Sequence, residues 1–99
     1  MTIGMIAKLR CKEGMNAEFE AGFQGMQKAV KENEPGCIQY DLLKSRSDET
    51  VYFVMEQYKD EESIAQHGKS DACRAAGASM GPASGGRPEI EVMDLVEED

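Results

Sequence analysis

The chain has 99 residues, 40% hydrophobic and 30% charged, with 19 acidic side chains against 11 basic ones and a formal net charge of −8. This length predicts a single domain spanning residues 1–99, and the composition is typical of a folded globular protein. The negative charge disfavours binding to nucleic acid or to an anionic membrane surface, because both would repel the chain.

The N-terminal residues and the cysteines indicate the compartment. The first eight residues contain no basic segment followed by a long apolar run, and no stretch approaches the ~20 apolar residues needed to span a bilayer. Cys11, Cys37 and Cys73 cannot all pair within the chain and form no C-x-x-C motif. These features favour a cytoplasmic location, and the cysteine spacing does not favour a metal site.

The apolar pattern of the first third of the chain predicts a strand followed by a helix. Residues 2–12 alternate apolar and polar side chains, and their apolar face consists of Ile3, Met5, Ala7, Leu9 and Cys11. Residues 15–32 carry a helical stripe formed by Phe19, Phe23, Met26 and Val30. Gly22 and Gly25 interrupt this helix, which favours close packing of the helix on the sheet. The proline and glycine within residues 33–36 end it.

A β-hairpin is predicted from two runs of β-forming residues, 37–45 and 50–59, joined by four polar residues. Alternation places two sets of side chains on opposite faces of each run. One face of the second run consists of Tyr52, Val54, Glu56 and Tyr58. This pairing is the clearest hairpin pattern in the chain.

After the hairpin, Asp60 supplies an N-cap for a short helix that ends near His67 and carries Ile64 and Ala65 inward. Residues 71–80 predict a second, alanine-rich helical segment with a weak apolar stripe formed by Cys73, Ala76 and Met80. A loop, a last strand and a polar tail follow at residues 81–88, 89–96 and 97–99.

The order β-α-β-β-α-β predicts an α+β fold of the ferredoxin-like type, with an antiparallel sheet and helices on one face. The strand faces opposite the helices still carry apolar residues. A second copy of the chain is the simplest cover for them, so we expect a homodimer.

Four residues are candidates for chemistry. His67, the only histidine, is able to act as a general acid or base near neutral pH, or to lie exposed at a helix end. Tyr40 and Tyr58 either pack on the sheet or present hydroxyls to an aromatic ligand. Glu56, in an otherwise apolar strand, either faces solvent or partners a base. No serine–histidine–acid spacing, phosphate loop or H-E-x-x-H motif is present.

One long segment resembles the antibiotic biosynthesis monooxygenase (ABM) domain family. It begins with Glu34-Pro35-Gly36-Cys37-Ile38-Gln39-Tyr40, continues through a strand ending in Glu56-Gln57-Tyr58-Lys59-Asp60, and reaches His67 through a short helix. The family typically shows E-P-G-C-x-x-Y, then a strand ending in E-x-[YW]-x-[DS], then a short helix with a histidine. The resemblance implies a dimeric α/β-barrel, with a cavity between the sheet and the helices of each subunit.

The resemblance also implies a function. Several members are oxygenases that need no flavin or metal and act on electron-rich phenols or quinols, where the deprotonated substrate gives electrons directly to O₂. This implies a monooxygenase with no cofactor that oxidises a small aromatic quinol or phenol. His67 would be the catalytic base, and Tyr40, Glu56 and Tyr58 would bind the substrate.

Other functions remain open from the sequence. The haem-degrading branch of the family uses a tryptophan and an early-strand asparagine, and the chain has no tryptophan and no asparagine in its first strand. Another branch isomerises a phosphorylated autoinducer-2 sugar, but its second histidine is replaced by residues 70–73, Ser-Asp-Ala-Cys. The alternatives are an isomerase of a small carbonyl compound that uses His67 for proton transfer, and a small-ligand-binding dimer without catalysis.

Overall fold

The computed structural model describes residues 2–78 and 80–96, without the side chains of Cys73 and Ala76. The elements are β1 (Ile3–Arg10), α1 (Asn16–Asn33), β2 (Cys37–Lys44), β3 (Val51–Tyr58), α2 (Glu61–Lys69), α3 (Asp71–Ala78), a 3₁₀ turn (Gly81–Ala83) and β4 (Glu89–Asp94). The predicted order is confirmed, with the second helical region divided into two short helices. The predictions for the tail 97–99 and for the side chains of Cys73 and Ala76 fall outside the part of the chain that the structure describes. Met80, the third residue of that predicted apolar stripe, is buried.

The four strands form one antiparallel sheet in the order β2-β3-β1-β4, which confirms the ferredoxin-like α+β fold. The register aligns one residue from each strand in a row across the sheet. Tyr40 lies opposite Glu56, Glu56 opposite Met5, and Met5 opposite Val92. Because side chains of paired residues share a face, this row presents two polar and two apolar side chains together.

The core lies between the sheet and α1. Phe19 and Phe23 are buried, as their helical stripe predicts. Phe19 stacks on Tyr52 with ring centroids 4.7 Å apart, and Phe23 stacks on Tyr40 at 5.1 Å. Each buried aromatic ring contributes about 1.5–3 kcal/mol through removal of apolar surface from water. These two stacks hold α1 over the β2–β3 hairpin.

The glycines of α1 do not pack on the sheet, so that prediction was wrong. A β-carbon on Gly22 would lie 2.6 Å from Cγ of Met80, in the segment after α3, whereas a β-carbon on Gly25 would meet nothing within 4 Å. Gly22 therefore allows close approach of α1 to the α3 side of the helical layer. Sequence spacing alone does not show which neighbour a glycine faces.

The turn between α1 and β2 determines the position of α2. A β-carbon on Gly36 would overlap Oγ of Ser63 and lie 2.6 Å from Cβ of Ser63, so the turn and the first turn of α2 are in close contact. The predicted cap is confirmed, because Oδ1 of Asp60 accepts a hydrogen bond from the Ser63 amide at 2.8 Å. Ser63 is consequently the buried residue of α2, and Ala65 is exposed, contrary to the prediction that it faces inward. His67, four residues after Ser63, follows it onto the inner side of the helix.

The face of the sheet away from the helices carries exposed apolar side chains. Ile6 lies opposite Met55 in the β1–β3 pair, and these side chains are 38% and 37% exposed. Leu43 on β2 is also exposed.

Among the described helices, none combines the length and the apolar character that a membrane crossing requires.

Candidate active site

His67 lies inside the protein, between two acidic side chains. Its side chain is 15% exposed. Nδ1 lies 2.7 Å from Oε1 of Glu34, and Nε2 lies 3.7 Å from Oε1 of Glu56. The first distance is a hydrogen bond, whereas the second is a charge contact that matters when the imidazole is protonated.

Glu34 is the residue at this site whose role is not predicted from sequence. It caps the C-terminus of α1, where its amide donates to the Val30 carbonyl at 2.8 Å, and its own carbonyl accepts from the Cys37 amide at 3.1 Å. Its side chain is only 5% exposed. The negative end of a helix dipole disfavours an acidic side chain. A glutamate at this position in the sequence therefore indicates that the side chain has a specific partner.

Glu56 and Tyr58 form a buried pair on β3. The Tyr58 hydroxyl donates to Oε1 of Glu56 at 2.5 Å. Tyr58 is 0% exposed and Glu56 is 6% exposed. Burial raises the pKa of Glu56 and the Glu34 charge adds to this, while the Tyr58 hydrogen bond and nearby His67 lower it. Burial, reinforced by the Glu56 carboxylate, raises the pKa of Tyr58, so its hydroxyl remains a donor.

Aromatic rings enclose the imidazole. The Tyr40 ring lies 5.5 Å from the His67 ring, and the Tyr58 ring lies 5.4 Å from it, both tilted. The Phe23 stack holds Tyr40 in turn. Tyr58 is fully buried and its hydroxyl is directed to Glu56, so it acts on this carboxylate, whereas Tyr40 is only partly buried. Such packing limits rotation of the imidazole.

A cavity of about 620 Å³ opens between the sheet and the helices. Its size lies within the roughly 300–1,000 Å³ usual for small-molecule sites. His67, Glu56 and Tyr40 line it together. Most of the remaining wall is apolar and includes Met5, Leu9, Phe19, Phe23, Val54 and Met80. The cavity therefore has an apolar body with a polar group of acid, histidine and tyrosine on one wall.

The cavity is open on the side of β4. Ile90 and Val92 line it, yet each remains 57% exposed. Of the described residues in the wall, Arg10 and His67 are those able to carry a positive charge, and the Arg10 guanidinium lies 3.6 Å from the Glu89 carboxylate. The wall therefore carries little positive charge at the β4 edge, where Arg10 is paired with Glu89.

This arrangement suits proton transfer. An imidazole nitrogen at the wall of an apolar cavity is able to take a proton from a bound hydroxyl. Among the side chains that the structure describes, no three of histidine, cysteine or acidic type converge in the way that a metal site needs.

Comparison with known proteins places this geometry in context. The family model for antibiotic biosynthesis monooxygenases matches residues 2–79. A Caulobacter crescentus protein that carries this family's name is 44% identical, with a TM-score of 0.91 over 97% of this chain and 91% of that one. A conserved Methanosarcina mazei protein is 24% identical, with a TM-score of 0.83 over 93% of this chain and 90% of that one.

A further structure shares the fold at lower identity. SnoaB, a cofactor-independent oxygenase from Streptomyces nogalater, is 15% identical, with a TM-score of 0.84 over 98% of this chain and 95% of that one. No curated protein matches the sequence. At this identity the SnoaB structure supports the fold alone, whereas the family match extends over most of the chain.

Proposed function

The chain belongs to the antibiotic biosynthesis monooxygenase family, and we propose that it oxidises a small aromatic quinol or phenol with O₂, without a cofactor. The observation that carries this proposal is the position of His67, with Nδ1 held by Glu34 and the side chain in the wall of an apolar cavity. A base placed there can meet the hydroxyl of a ligand bound against the apolar wall.

The reaction begins with removal of a proton. The phenol hydroxyl gives its proton to His67, and the electron-rich phenolate supplies electrons to O₂. A ring carbon that carries hydrogen forms a bond to one oxygen atom, and the O–O bond then breaks. That carbon becomes a quinone carbonyl, and the second oxygen atom leaves as water with two hydrogens from the substrate. The substrate loses four electrons and O₂ gains four, so atoms and electrons balance.

The cavity wall supports an aromatic substrate. Tyr40 and Phe23 present ring surface, and the methionines Met5, Met26 and Met80 offer adaptable contacts to a flat apolar ligand. A phosphorylated sugar, the substrate type of the isomerase alternative, needs cationic groups, whereas the polar wall here carries the Glu56 carboxylate and Arg10 is already paired with Glu89. The lining thus favours the aromatic substrate over the small phosphorylated carbonyl compound.

Each predicted site residue has a role in this proposal. His67 is the base. Tyr40 and Glu56 contact the substrate from the cavity wall. Tyr58 orients Glu56 through its 2.5 Å hydrogen bond and does not contact the substrate itself.

The protein is also proposed to act as a homodimer. The exposed pair Ile6 and Met55, together with Leu43, gives the uncovered sheet face an apolar centre. A chain of this length buries only roughly 60–65% of its unfolded surface, so pairing through this face would add to a small core.

Oxygen uptake tests the proposed function. Purified protein is assayed with a panel of quinols and hydroxylated polycyclic phenols, with chelator present and flavin omitted, and the wild type is compared with His67→Ala. We expect enzyme-dependent uptake and quinone formation, with the rate lowered about 10²-fold or more in the variant. Gln66→Ala, an exposed change on the same helix, is the matched control and should keep the wild-type rate.

Two results would overturn the proposal. Uptake that never exceeds autoxidation would favour the isomerase or the non-catalytic binding alternative, which a screen with carbonyl compounds and aromatic ligands would then separate. Uptake that is equal in the wild type and His67→Ala would remove His67 from the chemistry.

A further inference from the structure

We propose that Glu34 is a positioning residue, whose carboxylate fixes the proton of the neutral His67 side chain on Nδ1 and leaves Nε2, the nitrogen on the Glu56 side, unprotonated. The inference rests on the proposed function, in which His67 accepts a proton from the substrate. It adds a residue at the end of α1 that does not itself line the cavity and acts through His67.

The hydrogen bond between the two residues determines the tautomer. Oε1 of Glu34 lies 2.7 Å from Nδ1 of His67. An ionised carboxylate only accepts hydrogen bonds, so Nδ1 must be the donor. Because a neutral imidazole carries one N–H, Nε2 is then the unprotonated nitrogen. Both side chains are largely shielded from water, which strengthens the bond.

Glu56 cannot perform this function. Its Oε1 lies 3.7 Å from Nε2, beyond hydrogen-bond distance, and the same oxygen already accepts from the Tyr58 hydroxyl. Glu56 therefore meets the imidazole only through a charge contact and lines the cavity. Glu34, by contrast, orients the imidazole through a hydrogen bond. The two acids have separate roles on the two nitrogens of one ring.

The backbone holds Glu34 and α2 as one unit. The amide and carbonyl of Glu34 are both hydrogen-bonded in the turn after α1. Two residues later, the Gly36 carbonyl accepts from the Lys59 amide at 2.9 Å, and Gly36 lies against Ser63 of α2. The carboxylate is thus fixed relative to the helix that carries His67. This gives a physical reason for the E-P-G-C motif to occur in the same chain as the distant histidine.

The contact with His67 also compensates for the unfavourable position of the Glu34 charge. Its carboxylate lies at the C-terminus of α1, where the helix dipole disfavours negative charge. When His67 takes up a proton, the imidazolium lies between Glu34 and Glu56, and the pair with Glu34 becomes charge-assisted. The same contact therefore places a charge partner beside the side chain that the proposed reaction requires.

The tautomer is measured by NMR. Because His67 is the only histidine, ¹⁵N–¹H correlation spectra of the imidazole need no assignment by mutagenesis. In wild-type protein with a neutral imidazole, we expect the proton on Nδ1. In Glu34→Gln the amide can donate as well as accept, so we expect a mixture with the Nε2–H form and a kcat about 10²-fold lower. Glu32→Gln removes the same charge from an exposed site on α1 and should change neither reading.

The outcomes separate this inference from the proposed function. A wild-type spectrum with the proton on Nε2 would overturn the role of Glu34, even if oxidation depends on His67, and this holds even if Glu34→Gln fails to fold. An Nδ1–H spectrum without oxidation of any phenol would support the positioning role and overturn the proposed reaction. A Glu34→Gln protein that keeps the pure Nδ1–H form would also contradict the inference.

Discussion

Glu56 and Tyr58 are two residues apart on the covered face of β3, and the Tyr58 hydroxyl donates to the Glu56 carboxylate at 2.5 Å. The hydrogen bond satisfies one oxygen of an acid that has almost no contact with solvent. Burial nevertheless remains the main influence and raises the pKa of Glu56 above its ordinary value. The protein thus holds an acid whose charged form is disfavoured, directly beside its histidine.

This pKa shift makes stability depend on pH. The pKa of Glu56 is higher in the folded protein than the ~4.3 of an unfolded glutamate. Its contribution to the free energy of unfolding is therefore complete below that value and is lost as pH rises through the folded-state pKa. Glu56→Gln cannot ionise, so its free energy of unfolding should gain on that of the wild type as pH rises above ~4.3.

Urea unfolding at several pH values measures this difference. The matched control is Glu13→Gln, an exposed acid in the turn between β1 and α1, which should track the wild type across the range. A Glu56→Gln curve that loses stability relative to the wild type as pH rises would show that the buried carboxylate is better stabilised than its surroundings indicate. Oxidation should fall in the same variant, because the cavity loses its acid.

The close contact between Gly36 and Ser63 yields a second prediction. A β-carbon on residue 36 would overlap Oγ of Ser63, and both residues are buried. Gly36→Ala should therefore lower the free energy of unfolding by about 1–3 kcal/mol. It should also displace α2 from the turn that carries Glu34, and so reduce oxidation.

A double variant and a control make this test specific. Ser63→Gly removes the side chain that the added methyl group would overlap. Gly36→Ala should therefore cost less stability in the Ser63→Gly background than in the wild type. Gly25→Ala, in an open position of α1, should instead stabilise the protein by about 0.5–1 kcal/mol through helix propensity. Equal stability changes at positions 25 and 36 would contradict the close contact.

The fold was predictable from sequence because its strands alternate and its first helix has a regular apolar stripe. The pattern of β3, with Tyr52, Val54, Glu56 and Tyr58 on one face, is the buried face in the structure. The irregularity of β2 was not predictable. Its register shifts between Cys37 and Gln39 and leaves Ile38 58% exposed, because a bulge depends on the pairing with β3 and not on local composition.

The site was predictable only in part. The resemblance drew attention to His67, Tyr40, Glu56 and Tyr58, and the structure brings these four side chains together. Glu34 was missed because its partner lies 33 residues away along the chain, and no periodicity connects the end of α1 with the end of α2. A contact of that kind arises from tertiary packing, here the close approach of the turn at Gly36 to α2.

Cys37 provides a third prediction, on reactivity. Burial, together with the charges of Glu34 and Glu56, raises the pKa of Cys37 to about 11. At pH 8 roughly one thiol in a thousand is then a thiolate, the form that reacts. We expect alkylation of Cys37 by iodoacetamide to be about 10²-fold slower than that of a free thiol, as measured by peptide mass spectrometry.

The neighbouring acids offer an internal check of this prediction. Because the Glu34 charge raises the pKa of Cys37, Glu34→Gln should speed alkylation of Cys37 in the folded protein. Unfolding in urea should bring the wild type and the variant to the same rate. Rapid labelling of native Cys37 would mean that this thiol is neither shielded nor influenced by the acids beside it.

The last prediction concerns assembly through the exposed sheet face. Ile6 and Met55 lie opposite each other on β1 and β3 and are 38% and 37% exposed. We expect wild-type protein to be dimeric at micromolar concentration in light scattering, with an interface that buries at least roughly 1,200 Å² in total.

A charge placed at the centre of that interface must lose its hydration without a partner. Ile6→Glu should shift the protein to monomers, whereas Ile38→Glu, an equal change at the more exposed bulge of β2, should leave it dimeric. A monomeric wild type, or dimers that persist in Ile6→Glu, would contradict dimerisation through this face.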